Sequence, residues 1–209
     1  MKIYLLFLGL LVSSLTAFSQ QKLFEPNNTT YPPDGVYLTF SAFRNGLPDL
    51  LKDQLIKSVY DSVFTIRQWS NTENLYYKDA AAVKKSMDRK AIWGFIDNGT
   101  LFLFIGNKFH KITVLGQISY FLESYPVIKG NMAPVVTETK ATAAYRFLDM
   151  ETGEIYDYTI ENLQDLLERD ELLYNEYKAI TSLKVKKKKM FSYMERFNKE
   201  HPLRVVEIP

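Results

Sequence analysis

The stretch IWGFIDNGTLFLFIGNKFHKITVLG, residues 92–116, decides the fold. Asn98-Gly99 stands between two apolar runs, and both residue types accept the positive φ of a type I′ turn, so a β-hairpin is predicted there. In that register Asp97 faces Thr100, Phe95 faces Phe102 and Trp93 faces Phe104, which gathers the aromatics on one side. The other side receives Ile92, Gly94 and Ile96 against Ile105, Leu103 and Leu101. Gly106-Asn107 reads as a second two-residue turn, leading to a third strand over residues 108–115. His110, Ile112 and Val114 then join the aliphatic side, while Phe109, Lys111 and Thr113 join the aromatic one. A three-residue turn would exchange the two sets, because side chains alternate with a period of two. Residues 100–105 hold almost no polar side chain, so both of their faces should be covered.

Outward from this centre, a fourth strand is expected over residues 118–123 and a hairpin joining 141–148 to 154–158, turning at 151–153. Upstream, residues 35–38 read as a strand, and Thr39 caps a short helix over 40–45 that Gly46 closes, with Phe40 and Phe43 on one side. The segment IKSVYDSVFTIRQW, residues 56–69, mixes β-branched and aromatic residues in partial alternation and is read as one or two strands. Downstream, Thr159 caps a helix with Ile160, Leu163, Leu166 and Leu167 on one face. A second helical piece, broken from the first at Asp170, carries Leu172, Leu173, Tyr177 and Ile180. A third covers residues 184–198 with Met190, Phe191, Met194 and Phe197 inward, and Pro202 lies beyond its end. The class expected is α+β: an antiparallel β-meander sheet with C-terminal amphipathic helices packed on it.

The start of the chain reads as an address. Met1-Lys2, an apolar run over residues 3–12 and the small residues around Ala17-Phe18-Ser19 form a secretory signal peptide, residues 1–19. Residues 20–34 are rich in Gln, Asn, Thr and Pro and are expected to form a flexible leader. The remainder, 35–209, is expected to be a single domain, β-rich to about residue 158 and helical over 159–200. No transmembrane segment is expected after signal cleavage, since no later run approaches the ~20 apolar residues that span a bilayer.

Composition narrows the chemistry. A net charge of +2 gives no global field toward polyanions, and nucleic acid is not an expected partner. The sequence contains no cysteine, so disulfides, thiolate catalysis and the common structural zinc sites are all excluded. The glycines fall singly at turns and caps, with no phosphate-binding loop, and no cofactor is expected. His110 alternates with Ile112 and Val114 and reads as a core or edge histidine, and His201 beside Pro202 reads as part of a turn. They are too far apart for the histidine pair of a zinc hydrolase, so no metal site is assigned to them. Asp149, Glu151, Glu154 and Asp157 gather round one turn, a spacing that departs from the EF-hand loop and reads as a solvated hairpin tip.

Two features point to binding. Trp69 with the Tyr76-Tyr77 pair sits in a loosely patterned region and is the aromatic platform expected to be exposed. The tract Lys184, Lys186, Lys187, Lys188 and Lys189 is expected to form a solvated basic helix face, with contact to an anionic surface as its functional reading.

The segments GVYLTFSAFRNGLPDL, AIWGFIDNGTLFLFIGNKFHKITVLGQISYF, LDMETGEIYDYTIENLQDLL and YMERFNKEHP resemble those of a family of uncharacterised exported proteins of Bacteroidota-type bacteria. The resemblance implies an exported setting, periplasmic, cell-surface or extracellular, and carries no catalytic residue. Asp61-Ser62-Val63 is similar to the O-glycosylation acceptor of such envelopes. The function expected is therefore a non-catalytic binding module for a partner protein or a glycan, with no catalytic residue assigned. The alternative is a carboxylate-based hydrolase, which would need two carboxyls facing across a sugar-sized site.

Overall fold

The computed structural model describes residues 21–23, 32–56, 65–72, 74–125 and 142–206. The signal segment, the Asp61-Ser62-Val63 acceptor and residues 57–64 of the expected strand region lie outside the described residues. The strands, in chain order, are β1 (Gln21–Leu23), β2 (Gly35–Tyr37), β3 (Leu75–Lys78), β4 (Lys84–Met87), β5 (Gly94–Asp97) and β6 (Thr100–Ile105). They continue with β7 (Lys108–Val114), β8 (Ile118–Tyr125), β9 (Thr142–Asp149), β10 (Ile155–Asp157) and β11 (Arg204–Val206). The helices are α1 (Phe40–Arg44), α2 (Ile66–Ser70), α3 (Ile160–Leu167), α4 (Glu171–Lys178) and α5 (Leu183–Glu200).

The central meander forms as its turns dictate. Asn98 and Gly99 take φ of 50° and 68°, so Asp97 pairs with Thr100, Phe95 with Phe102 and Ile96 with Leu101. Gly106, at φ 67°, opens the second turn, and Phe104 pairs with Phe109 and Leu103 with His110. The full sheet has seven antiparallel strands in the order β10-β9-β8-β7-β6-β5-β2. Two small ladders, β3-β4 and β1-β11, lie outside it. The fold is α+β, with the C-terminal helices packed on the meander.

One face of the sheet holds Ile96, Leu101, Leu103, Ile112, Phe121 and Leu148, with Tyr37, Phe43 and Met150 packed among them. The opposite face is covered in two parts. At the β5-β6 end, α2 and the β3-β4 hairpin bring Ile66, Trp69 and Leu75 onto Val36, Phe95 and Phe102. At the β8-β9 end, α3, α4 and α5 bring Leu163, Leu167, Leu173, Met190 and Met194 onto Ile118 and Phe147. Each of these helices starts at a side-chain cap: Thr159 accepts from the Asn162 backbone N–H, Asp170 from Leu173 and Ser182 from Val185.

The sheet curls enough for distant parts of the chain to meet. Arg44 at the end of α1 donates to the carbonyls of Met150 and Glu151, at 2.6 and 2.9 Å. Beside that contact Phe40 lies against Gly153, where an added Cβ would sit 2.5 Å from the ring and where φ is +82°. Only glycine fits both conditions.

Several expectations are corrected. Residues 66–70 are helical, because Thr65 and Gln68 form a reciprocal capping box. Trp93 turns away from Phe95 and Phe102 to pack on Phe40 and Phe43, with ring centroids 5.5 and 5.0 Å apart, and Ile92 takes the Phe95 side instead. The reason is that β5 begins at Gly94, paired with Tyr37, so Trp93 stands outside the strict alternation. Between Ile112 and Val114 the pairing with β8 shifts, which keeps Ile112 beside Phe121 but sends Val114 to the helix-covered face. The expected leader also carries structure, since Gln21–Leu23 pairs antiparallel with Arg204–Val206.

Candidate functional site

The helical cover over β8 and β9 stops short of their full length. Past Ile118 and Phe147, the same face carries Tyr120 and Leu122 on β8 and Tyr145 on β9, and the Phe191 ring of α5 meets it at Tyr120. The Tyr120 and Tyr145 rings stack at 5.3 Å and 15°, Tyr158 meets Tyr120 edge-on at 5.2 Å, and Phe191 does so at 5.7 Å. Tyr145 is 50% exposed, Leu122 39% and Phe191 37%. Phe191 is thus at the rim of the helix–sheet contact and not inward as its helical position had implied. Burial and the neighbouring phenols Tyr145 and Tyr158 push the Tyr120 hydroxyl up to about 12, so it stays protonated and able to donate at any physiological pH.

Lysines border this surface. Residues three and four apart share a helix face, so Lys184, Lys187 and Lys188 lie on the stripe of α5 that ends at Phe191. All three are exposed. Lys111 on β7 is exposed too and alternates with the buried Ile112, which puts it on the same face as Tyr120 and Leu122. The carboxylates of these strands are engaged elsewhere. Glu123 sits on the reverse face at 2.6 Å from Arg146, which also pairs with Asp157, and Asp149 is bound by Arg169 at 2.9 Å.

The residues expected to bind are distributed differently. Trp69, Tyr76 and Tyr77 do come together, but as packing. Trp69 is 1% exposed, and its indole N–H donates to the Tyr76 carbonyl at 2.8 Å, so it is no surface platform. Tyr77 packs onto the same core, and Tyr76 is half-buried under the Lys84 ammonium at 4.0 Å from its ring. In the lysine tract, Lys184, Lys187, Lys188 and Lys189 are exposed, whereas Lys186 is buried. Its ammonium donates to Gln164 at 3.0 Å and lies 5.0 Å from the Tyr177 ring, because position 186 falls on the Met190 side of α5.

Several other polar groups are tied into the fold. Glu154 accepts from the Tyr156 hydroxyl, and Glu151 shares Arg169 with Asp149. Among the described residues no group of three His, Asp or Glu side chains is placed to hold a metal ion. His110 is 4% exposed beside Phe121, and burial followed by the Lys108 charge pulls its imidazole below the ordinary range, so it is neutral at pH 7. His201 contacts Asp170 at 2.8 Å and ties the end of α5 to the start of α4. A polar cavity of about 430 Å3 lies between the β9-β10 turn and α3, bordered by Asp149, Thr152, Asp165 and Arg169. A second, of about 610 Å3, opens beside β4 at Asn74, Ser86, Arg89 and Phe104. No helix among the described residues is long and apolar enough to cross a membrane.

The open tyrosine surface escaped sequence reasoning, which assigned strand aromatics to the core. The usable signal was the run Tyr120, Leu122 and Tyr145 on paired strands, read together with a third helix whose apolar stripe gives way to lysine before Phe191. No protein-family model, curated protein or solved structure matches the chain.

Proposed function

We propose that this chain is a non-catalytic binding module working outside the cytoplasm, in the periplasm, at the cell surface or in the medium, and that it engages a partner protein or a glycan. The observation that carries the reading is the surface formed by the exposed Leu122, Tyr145 and Phe191 around the half-buried Tyr120. Contiguous aromatic surface left open to water is costly and is typically kept for recognition. The exported setting rests on the signal-like residues 1–19 and on the resemblance to exported proteins of Bacteroidota-type bacteria. The hydrolase reading is the weaker one, because Glu123 and Asp157 share Arg146 and Asp149 and Glu151 share Arg169, an arrangement that spends these carboxylates on ion pairs.

The test is affinity capture with the mature chain from its own envelope fraction, with proteins and glycans both analysed, alongside the Tyr145→Ala variant. A specific partner held by the parent chain and lost by a still-folded Tyr145→Ala variant is the expected result. Capture that is identical for both proteins would overturn the assignment of this surface.

A further inference from the structure

We infer that the ligand of this surface is an acidic glycan, a chain of sugar rings bearing uronate or sulfate groups. The inference rests on the binding reading above and narrows it to a chemical class.

Three observations combine. First, the patch joins the stacked Tyr120 and Tyr145 to Leu122 and Phe191, and tyrosine rings are apolar on their faces and polar at their tips. Tyr120 and Tyr145 lie nearly parallel, 15° apart, and Tyr145 is 50% exposed, so ring surface and hydroxyls are offered together. A pyranose ring has matching chemistry: a C–H face that stacks on an aromatic ring and a hydroxyl rim that exchanges hydrogen bonds with phenols. Second, lysines outnumber the acid beside the patch, Glu195, which lies one turn after Phe191 on the same stripe of α5. Lys187 and Lys188 lie one turn before Phe191 on α5, and Lys111 enters from β7 beside Leu122. Third, the acids of the adjoining strands are already paired, Glu123 with Arg146 on the reverse face and Asp149 with Arg169. Three lysines against Glu195 leave a positive balance of charge near the tyrosines although the chain as a whole carries only +2. Sugar rings seated on the tyrosines would have their anionic groups within reach of lysines from two separate elements, a complementarity that fixes which glycans bind.

The geometry favours sugar over other anions. A lipid surface selects protruding aliphatic residues with a basic collar, a pattern that Leu183 and Val185 offer at the start of α5, whereas the most exposed residue of the sheet patch is Tyr145, whose ring carries a hydroxyl. An acidic peptide would satisfy the lysines but offers no flat hydroxylated ring to the stacked pair.

The experiment measures binding of the mature chain to polygalacturonate, heparin, neutral dextran, poly-glutamate and phosphatidylglycerol vesicles at low and high salt. The expected result is binding to polygalacturonate or heparin that weakens as salt screens the lysines. Tyr145→Ala should lower the affinity by about tenfold or more. The Lys187→Ala/Lys188→Ala pair should also lower it and flatten the salt dependence. Thermal melting verifies that each variant is folded, and Tyr145→Phe, which keeps the ring, should retain most of the binding. Dextran bound as well as the acidic polymers, with the lysine pair inert, would overturn the acidic class and leave the surface assigned. Stronger binding to poly-glutamate or to vesicles would overturn the glycan. If neither acidic glycan binds while Tyr145→Ala still abolishes capture of an envelope protein, the ligand class is wrong and the surface right. If neither effect is seen, both readings fall.

Discussion

Two aromatic clusters occupy the same face of one sheet and meet opposite fates. At the β5-β6 end, Phe95 stacks on Phe102 at 4.8 Å and both lie under Trp69, Ile66 and Leu75, sealed from water. At the β8-β9 end, Tyr120 stacks on Tyr145 at 5.3 Å with almost the same parallel geometry, yet half of Tyr145 faces solvent. The rings are alike in number and stacking, so aromatic content does not separate core from binding surface. What separates them is cover. The first cluster lies beneath α2 and the β3-β4 hairpin, whereas α5 meets the second at Phe191 and leaves half of Tyr145 uncovered. The stacked pair is phenylalanine in the sealed cluster and tyrosine in the open one.

Truncation should separate the two clusters most clearly. Trp69→Ala should cost about 3–5 kcal/mol, as expected for emptying a sealed aromatic site, and Tyr145→Ala under about 1 kcal/mol. Chemical denaturation of both variants reads the difference, and equal losses would abolish the distinction. Next in size is Arg146→Met on the reverse face, which leaves Glu123, 2% exposed, without its arginine and should cost about 2 kcal/mol by the same measurement. Lys186→Ala should then cost about 1 kcal/mol through its lost contacts to Gln164 and Tyr177, while Lys187→Ala stays within about 0.5 kcal/mol. Melting temperatures decide whether the two neighbours differ. The smallest effect is spectroscopic. Tyr120 is held neutral in the fold up to about 12 but ionises near 10 once unfolded, so its contribution to stability is present below pH 10 and is lost between those values. Ultraviolet titration should place Tyr120 among several late-ionising phenols, the buried Tyr37 and Tyr177 included, and its midpoint should fall part of the way toward the ordinary value when Tyr145 and Tyr158 are replaced by leucine.

Much of this architecture was legible from local chemistry. Asn98-Gly99 and Gly106-Asn107 fix their turns by backbone tolerance alone, so the registers of β5, β6 and β7 follow from sequence. Thr39, Thr159 and Asp170 announce helix starts for an equally local reason. The Thr65–Gln68 box was equally readable, but the β-branched residues before it outweighed it. What stayed hidden depends on partners distant in sequence. Trp93 changes sides because Tyr37 pairs with Gly94 and α1 supplies two phenyl rings. Val114 does so because β8 shifts its register at that point. Whether Trp69 or Tyr145 would be the exposed ring turns on which sheet positions the distant helices cover, which no local pattern encodes.

The clasp of Arg44 on the Met150 and Glu151 carbonyls joins positions separated by 106 residues. Closing a loop of that length adds to the entropy cost only logarithmically, so equilibrium stability is little affected. Speed is another matter, because a chain dominated by such remote encounters folds slowly. We therefore expect the hairpins of the meander to assemble early and this junction to form last, with Arg44→Ala raising the rate of unfolding while leaving that of refolding almost untouched.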